Sequence, residues 1–336
     1  MSYIESAKSY TGNDLETIFF RPMLSGPSAQ DLGVRVIYNM PIPTTVQLWS
    51  SPSNVLQAYN TNGWSGGNSA TKQQKTINLE RIKAEMGFSA SDYFSLVFEQ
   101  IASRSDVNMD DLTGTELETA ETELFRRAIA ESIRTTMWIG DTSRDTYYNT
   151  FDGFLKCIAE YVDDEAIPTV EYKEADMADA DTSVGIFDDL WAGANQKLKD
   201  LKSEGELVYF VTSDVYNLYE KYLDDKGVDA AYVDSINGRQ SLMYHGIPVI
   251  DLHIGSYLGI SDFDTSFAIL TDRRNLVMAV NTSDFPGSEV RMWYNPDMME
   301  NRQRATFMMG CDVLDEDIIA YAHLVATASD SDSQTL

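Results

Sequence analysis

Cysteine, histidine and basic side chains are scarce in this sequence: two Cys, three His, and 25 Lys and Arg against 53 Asp and Glu. Cys157 and Cys311 stand far apart with no metal-like spacing, so neither a disulfide framework nor a zinc site is suggested, and both read as buried thiols. A formal charge of −28 argues against tight nucleic-acid binding, which rests on Lys and Arg displacing the counterions of phosphates. No window reaches the ~18 apolar residues of a membrane span, and MSYIESAKSYTGND has no basic stretch leading into an apolar core. The expectation is a chain that stays in the cytoplasm where it is made, with no membrane partner.

Catalytic signatures are missing as well. The glycine cluster GWSGGNSATK has neither the spacing of a phosphate loop nor the helix that should follow it, no GxGxxG opens a helix after a strand, and no GxSxG elbow occurs. DVNMDDLTGTEL places Asp106, Asn108 and Asp110 as a calcium loop would, but puts Asp111 where Gly is needed and Leu117 where a bidentate Glu is needed, so it reads as the turn before a helix. His245, His253 and His323 form no local metal or triad pattern. No catalytic residue, cofactor or metal is expected, and LMYHGIPVIDL (242–252) reads as two strands around a Gly-Ile-Pro break.

What is present is a chain of 336 residues, 43% hydrophobic, long enough for two lobes. Residues 1–33 are polar and broken by Gly and Pro, with one apolar cluster at Ile18, Phe19 and Phe20, which suits an arm lying on something else. From 34 to 78 two strand-like flanks surround a tip rich in Gly, Asn and Ser, the pattern of an extended hairpin. A short helix is expected around Phe94, Val97, Phe98 and Ile101, with Ser91 as its cap. The strongest helix follows at about 115–139: Thr115 and Glu118 make a capping box. Leu117, Ala120, Leu124 and Ala128, and beside them Phe125, Ile129, Ile133 and Met137, form adjoining i,i+4 rows. About 25 residues at 1.5 Å each span roughly 37 Å, enough to cross a whole lobe.

Residues 151–265 alternate helix and strand as a mixed α/β lobe. They include an acidic loop at 163–181, one amphipathic helix running from Val184 to Gly205, a buried strand LVYFVT, and a helix capped by Ser213. After Asp264 the period becomes that of strands, SFAILTD, LVMAVNT, SEVRMWYN and RQRATFMMGCDVL, read as an antiparallel meander that ends in DEDIIAYAHLVAT and a polar tail at 326–336.

Arm, hairpin, one long helix, α/β lobe and returning antiparallel sheet, in that order, resemble the major capsid protein of tailed bacteriophages, the Hong Kong 97-like fold. TELETAETELFRRAIAESIRTTMWIG looks like that family's spine helix, TSDVYNLYEKYLDD with LMYHGIPVIDL like its axial domain, and FAILTDRRNLVMAVNT with ENRQRATFMMGCDVLDEDIIAYA like its peripheral sheet. The resemblance implies an α+β subunit with an N-terminal arm (1–33), an E-loop hairpin (34–78), a peripheral domain (79–150 and 266–325), an axial domain (151–265) and a tail (326–336). It implies self-assembly through pentamers and hexamers into an icosahedral or prolate head around double-stranded DNA, without sequence-specific binding, in the host cytoplasm and then the virion. The partners it implies are further copies, a portal protein and, in some cases, decoration or cement proteins. Only ~33 residues precede the hairpin, so scaffolding is expected from a separate chain. Expected assembly contacts are Ile18, Phe19, Phe20, Trp49, Trp64, Lys72 and Lys75. Some relatives join subunits by a Lys-Asn isopeptide bond; Lys72 or Lys75 with Asn281 or Asn295 are the candidates, but no catalytic carboxylate is evident beside them, and no crosslink is expected. The rival readings are a cytoplasmic α/β enzyme using the 151–265 lobe and a capsid-decorating or tail protein.

Overall fold

The structure, a computed structural model, describes residues 8–11, 33–38, 44–50, 71–89, 116–227, 232–234, 240–259, 263–281, 289–298 and 300–325. In chain order the strands and helices begin with β1 (Lys8–Thr11), β2 (Arg35–Tyr38), β3 (Thr44–Ser50), β4 (Thr71–Ile77) and β5 (Glu80–Ser89). Next come α1 (Glu116–Ile139), α2 (Phe154–Asp163), β6 (Thr169–Lys173), α3 (Asp181–Gly193), α4 (Gln196–Asp200), β7 (Leu207–Val211) and α5 (Ser213–Lys226). The remainder are β8 (Tyr232–Asp234), β9 (Gln240–Tyr244), β10 (Ile247–Asp251), α6 (Gly255–Leu258), β11 (Phe267–Asp272), β12 (Leu276–Asn281), β13 (Glu289–Asn295), β14 (Glu300–Val313) and β15 (Ile319–Val325).

Three sheets result. One runs β1-β13-β14-β12-β2 with β5 also on β14, one runs β6-β15-β11-β7-β10-β9-β8, and β3 pairs β4 alone. Helix α1 lies where its spacing predicts. Its row Phe125, Ile129, Ile133 and Met137 is buried, and Trp138 beside it meets Phe154 and Phe210 edge-on at 5.3 and 5.4 Å. That row joins α2 and the inner face of β14 to one side of the seven-stranded sheet in a single core. Helices α3 and α5 cover the opposite side of the seven-stranded sheet with Phe187, Leu190, Val215, Tyr219 and Leu223 in a second core. Strands β7 and β11 are therefore buried at every position, as continuous apolar runs require when both faces of a sheet are covered.

Several local expectations are corrected. In the predicted row Leu117, Ala120, Leu124 and Ala128, Leu124 is 48% exposed and Ala128 only partly buried, so these two are not core, and the side chains of Leu117 and Ala120 lie outside the described residues. The helix expected from Val184 to Gly205 starts earlier, at Asp181, and breaks at Ala194 and Asn195, whose extended ψ angles of 143° and 149° end α3 before α4 begins. Thr212, not Ser213, is the N-cap of α5; its hydroxyl is held by the Phe267 backbone, while Ser213 Oγ donates to Asp251 Oδ1 at 2.8 Å. The four late strands are not one meander: β11, and β15 after it, hydrogen-bond into the seven-stranded sheet beside β7, whereas β12, β13 and β14 belong to the other. The stretch IKAEMGFS, expected to lead into a helix, is the second half of β5. The helix expected around Phe94 to Ile101, its Ser91 cap, the turn at Asp106 to Asp111 and the tail 326–336 lie outside the described residues.

Candidate functional site

The β3–β4 hairpin forms a two-stranded sheet by itself. Its strands pair from Thr44↔Ile77 to Ser50↔Thr71. Its root is held by a small apolar cluster in which Ile77, Val277, Ala279 and Leu314 are buried and Ile37, Val46 and Leu79 partly so. The chain then crosses β14 to enter β5, and the crossing needs Gly310: a Cβ there would sit 2.0 Å from the carbonyl oxygen of Asn78, a backbone atom with no freedom to swing away.

One polar clamp accompanies this root. Lys75 of β4 donates to the Tyr161 hydroxyl of α2 and pairs with Asp312 of β14 at 3.1 Å, with its ammonium 4.9 Å from the Tyr161 ring. Burial lowers the ammonium's pKa, but the bonds to Tyr161 and Asp312 outweigh it and raise the net value. Burial pushes the Asp312 carboxyl up, an effect Lys75 only partly offsets. The two cysteines lie against the same cluster: burial raises the Cys157 thiol to about 12 and holds Cys311 well above the ordinary range, so both are inert thiols.

The clamp bears on the isopeptide candidates. A carboxylate does stand beside Lys75, contrary to expectation, but it is Lys75's own ion-pair partner. Asn281 is four residues along β12 from Val277, the register partner of Asp312, or roughly 13 Å at the rise of a strand. Asn295 is at the far end of β13, opposite Glu300. Within one chain the structure brings neither asparagine to Lys75.

The histidines have structural surroundings. His245 and Gly246 are the two residues between the paired Tyr244 and Ile247, with φ of 49° and 81°, the left-handed pair that a type I′ hairpin turn demands. His253 Nδ1 lies 2.9 Å from Asp251 Oδ2, and Ser213 donates to that same carboxylate, so the serine is bonded to the acid and not to the imidazole. A nucleophilic triad needs the opposite arrangement. His323 and Tyr321 converge on Asp264 at 3.1 and 2.8 Å, tying β15 to the loop before β11. No group of three or more His, Cys, Asp and Glu among the described residues could hold a metal, and no described helix is long and apolar enough to cross a membrane.

Of the residues expected at contacts, Lys75 is drawn inward to the clamp. Trp49 and Lys72 are register partners across the hairpin, while Ile18, Phe19, Phe20 and Trp64 lie outside the described residues. Sequence reasoning missed Asp312 and Tyr161. The alternation along β14 marks Asp312 as an outward position, but no local pattern announces a partner more than 200 residues away.

No protein-family model and no curated protein sequence matches the chain. Solved structures do. The chain is similar to a chain of the satellite phage P4 procapsid, in a structure that includes the size determination protein Sid, with a TM-score of 0.57 and 11% identity over 92% of this chain and 99% of that one. It is also similar to a chain of Gordonia phage Cozz, with a TM-score of 0.49 and 12% identity over 89% of this chain and 88% of that one. A chain of the SrpI encapsulin complex of Synechococcus elongatus PCC 7942 gives a TM-score of 0.45 and 12% identity over 92% and 89%. The first of these likenesses carries the fold: this is the α+β fold of a phage capsid chain over nearly its whole length.

Proposed function

We propose that the protein is a major capsid protein, a structural subunit that closes through pentamers and hexamers into a shell around double-stranded DNA. The observation that carries this reading is a capsid fold matched over 92% of the chain and 99% of the procapsid chain, joined to a two-stranded hairpin that, among the described residues, is rooted in a cluster of four buried side chains. A two-stranded ribbon is marginal alone and gains stability when another surface covers it; in a closed shell each copy supplies that surface to the next. In this subunit residues 1–33 act as an arm, 34–78 as the reaching loop, and Ile18, Phe19, Phe20, Trp49, Trp64 and Lys72 as contacts to sister copies. Lys75 serves as the fastening of the loop's root and not as a crosslinking group.

The charge supports a container more than a binder. With −28 overall the wall repels packaged phosphate and keeps no tight hold on it. Portal protein, separately encoded scaffolding protein and, in some assemblies, decoration proteins would be its partners, and its place the virion after assembly in the host cytoplasm. An enzymatic role gains no support from the histidine clusters described above.

Sedimentation velocity with electron microscopy tests the reading. The full chain, alone or with its scaffolding partner, is expected to yield closed particles in the megadalton range, and removal of residues 1–78 to abolish them. A chain that remains near 37.7 kDa under all these conditions would refute it.

A further inference from the structure

The six-stranded sheet has an outward face with an unusual charge pattern. Along β5, β13 and β14 the outward positions are Arg81, Lys83 and Glu85, then Glu289, Arg291 and Trp293, then Glu300, Arg302 and Arg304; the three on β5 and Arg291 are exposed and the other five half-buried. Cations outnumber carboxylates here five to three, in a chain that holds 25 of one and 53 of the other. Among the cations with intrachain partners are Lys83 with Glu85 at 2.9 Å, Arg302 with Glu300 at 3.3 Å and Arg304 with Glu289 at 2.9 Å.

Arg291 breaks the pattern. It is exposed and stands directly across the antiparallel ladder from Arg304. Like charges facing each other across strands are destabilising. Both guanidiniums lie by the Trp293 ring, at 5.8 and 5.9 Å from its centroid, which fixes them beside one another. One row away, Gly87 lies opposite Arg302, which in turn faces Trp293; a hollow of about 320 Å³ lies here, walled by Gly87 and Trp293, by Arg302 and Arg304, and by the carboxylates Glu85 and Glu300. Arg304 is half-buried, pairs with Glu289 and faces Glu85 across its other ladder, which leaves Arg291 as the exposed cation of the two, beside Trp293 and suited to an incoming anion.

We infer that this Arg291, Trp293 and Arg304 face receives a carboxylate-bearing surface of a second copy of the chain; the inference rests on the shell reading and names one of its contacts. Charge complementarity selects the occupant, because a sister copy carries 53 carboxylates against 25 cations and so has an excess of carboxylates to offer. Nucleic acid is the poorer fit: at least three of the five cations are already neutralised within the chain, and counterion release rewards many free cations together.

The test uses the full chain and two variants. Arg291→Glu places a carboxylate opposite Arg304, so the isolated subunit should keep or raise its thermal midpoint, while Arg291→Gln only removes the charge. The concentration at which particles first form, read by sedimentation velocity at ~50 mM NaCl, is expected to rise about tenfold for Arg291→Glu and severalfold for Arg291→Gln. The parent's onset should climb with salt and that of Arg291→Glu should hardly move. A parent that assembles alongside an equally competent Arg291→Glu would overturn this inference alone; a parent that never assembles would remove the shell reading and this contact with it. A short labelled duplex DNA bound by the parent and lost in Arg291→Glu would reassign the face to phosphate and overturn the inference as well.

Discussion

The two large sheets solve opposite problems. The seven-stranded sheet is buried on both faces, so its central strands are buried at every position, five of five in β7 and six of six in β11. The six-stranded sheet is covered by α1 on one face, while its other face is covered by the hairpin root at β12, buried at all six positions, and left open along β5, β13 and the first part of β14, where Ile82, Ala305, Phe307 and Met309 point inward and charged groups outward. The first sheet is complete within one chain, whereas the second ends in a surface. Substitutions that disturb the first should act on stability of the isolated subunit, and those on the outer face of the second should act on association.

The largest effect should come where the sheets share a core. Trp138 is fully buried and touches Phe154 and Phe210, joining α1 to β7. Trp138→Ala is expected to lower unfolding free energy by about 3–5 kcal/mol in urea denaturation, against less than about 0.5 kcal/mol for Arg302→Ala on the outer face. Equal losses would erase the distinction between a self-sufficient sheet and a presenting one.

Next in size is the place where the hairpin leaves the body. Gly310→Ala forces a methyl to within 2.0 Å of the Asn78 oxygen, so β14 or the crossing strand must move. The expected cost is about 2–3 kcal/mol by denaturation, with a larger loss of particle formation than Trp138→Ala produces at matched stability, since the root's direction changes. A variant that assembles like the parent would show that the hairpin's aim is set elsewhere.

The loop from α1 to α2, which links the helices beneath the six-stranded sheet, carries a pH-dependent contribution. Burial alone would raise the Asp141 carboxyl, but hydrogen bonds from Lys156 and Ser143 overcome this and lower its pKa from 3.8 to about 2. A carboxyl depressed in the fold stabilises above its unfolded pKa and loses that contribution as pH falls through the folded value. A shift of this size corresponds to about 2 kcal/mol. Asp141→Asn should therefore lose up to about 2 kcal/mol at pH 7, with the gap to the parent closing between pH 4 and pH 2 in a thermal melt series. The Lys75 clamp should show a deficit that shrinks in the same direction, at smaller size and for the opposite reason. Lys75→Met leaves Asp312 buried without its cation, and a carboxyl raised in the fold is a cost that protonation relieves. A deficit of about 1 kcal/mol at pH 7 should shrink toward pH 5, and Lys75→Met with Asp312→Leu should restore most of it.

Where periodicity and burial coincide, the sequence could be read directly. The α1 row from Phe125 to Met137 and the apolar run of β7 state their surroundings through spacing alone, and the order of elements was enough for the α+β capsid fold. Three kinds of information were not local. The partition of β11 and β15 into the seven-stranded sheet depends on which edge is open, and a six-residue apolar strand looks the same in either sheet. The break at Ala194 and Asn195 follows Gly193, but Gly185 stands inside the same helix without ending it, so a glycine alone did not mark the stop. The Lys75, Tyr161 and Asp312 clamp and the Arg291 to Arg304 confrontation join residues through register, visible only once β13, β14 and the hairpin are paired.

The smallest expected effect concerns a residue that composition makes conspicuous and the fold makes ordinary. His245 is one of three histidines and occupies the first left-handed position of the β9–β10 turn, at φ 49° before Gly246 at 81°. Asn tolerates that region better than His and forms the preferred Asn-Gly turn. Against this stands the ring stacking of His245 on Tyr244, at 4.3 Å between centroids. The backbone preference should win by a small margin, so His245→Asn is expected to raise stability by about 0.5 kcal/mol, or roughly 1–2 °C in melting temperature, with particle formation unchanged. Because the seven-stranded sheet is complete within the chain, a turn at its margin can be improved without touching association. A loss of assembly in this variant would mean that the β9–β10 turn is itself a contact, and that the division of labour between the two sheets is drawn in the wrong place.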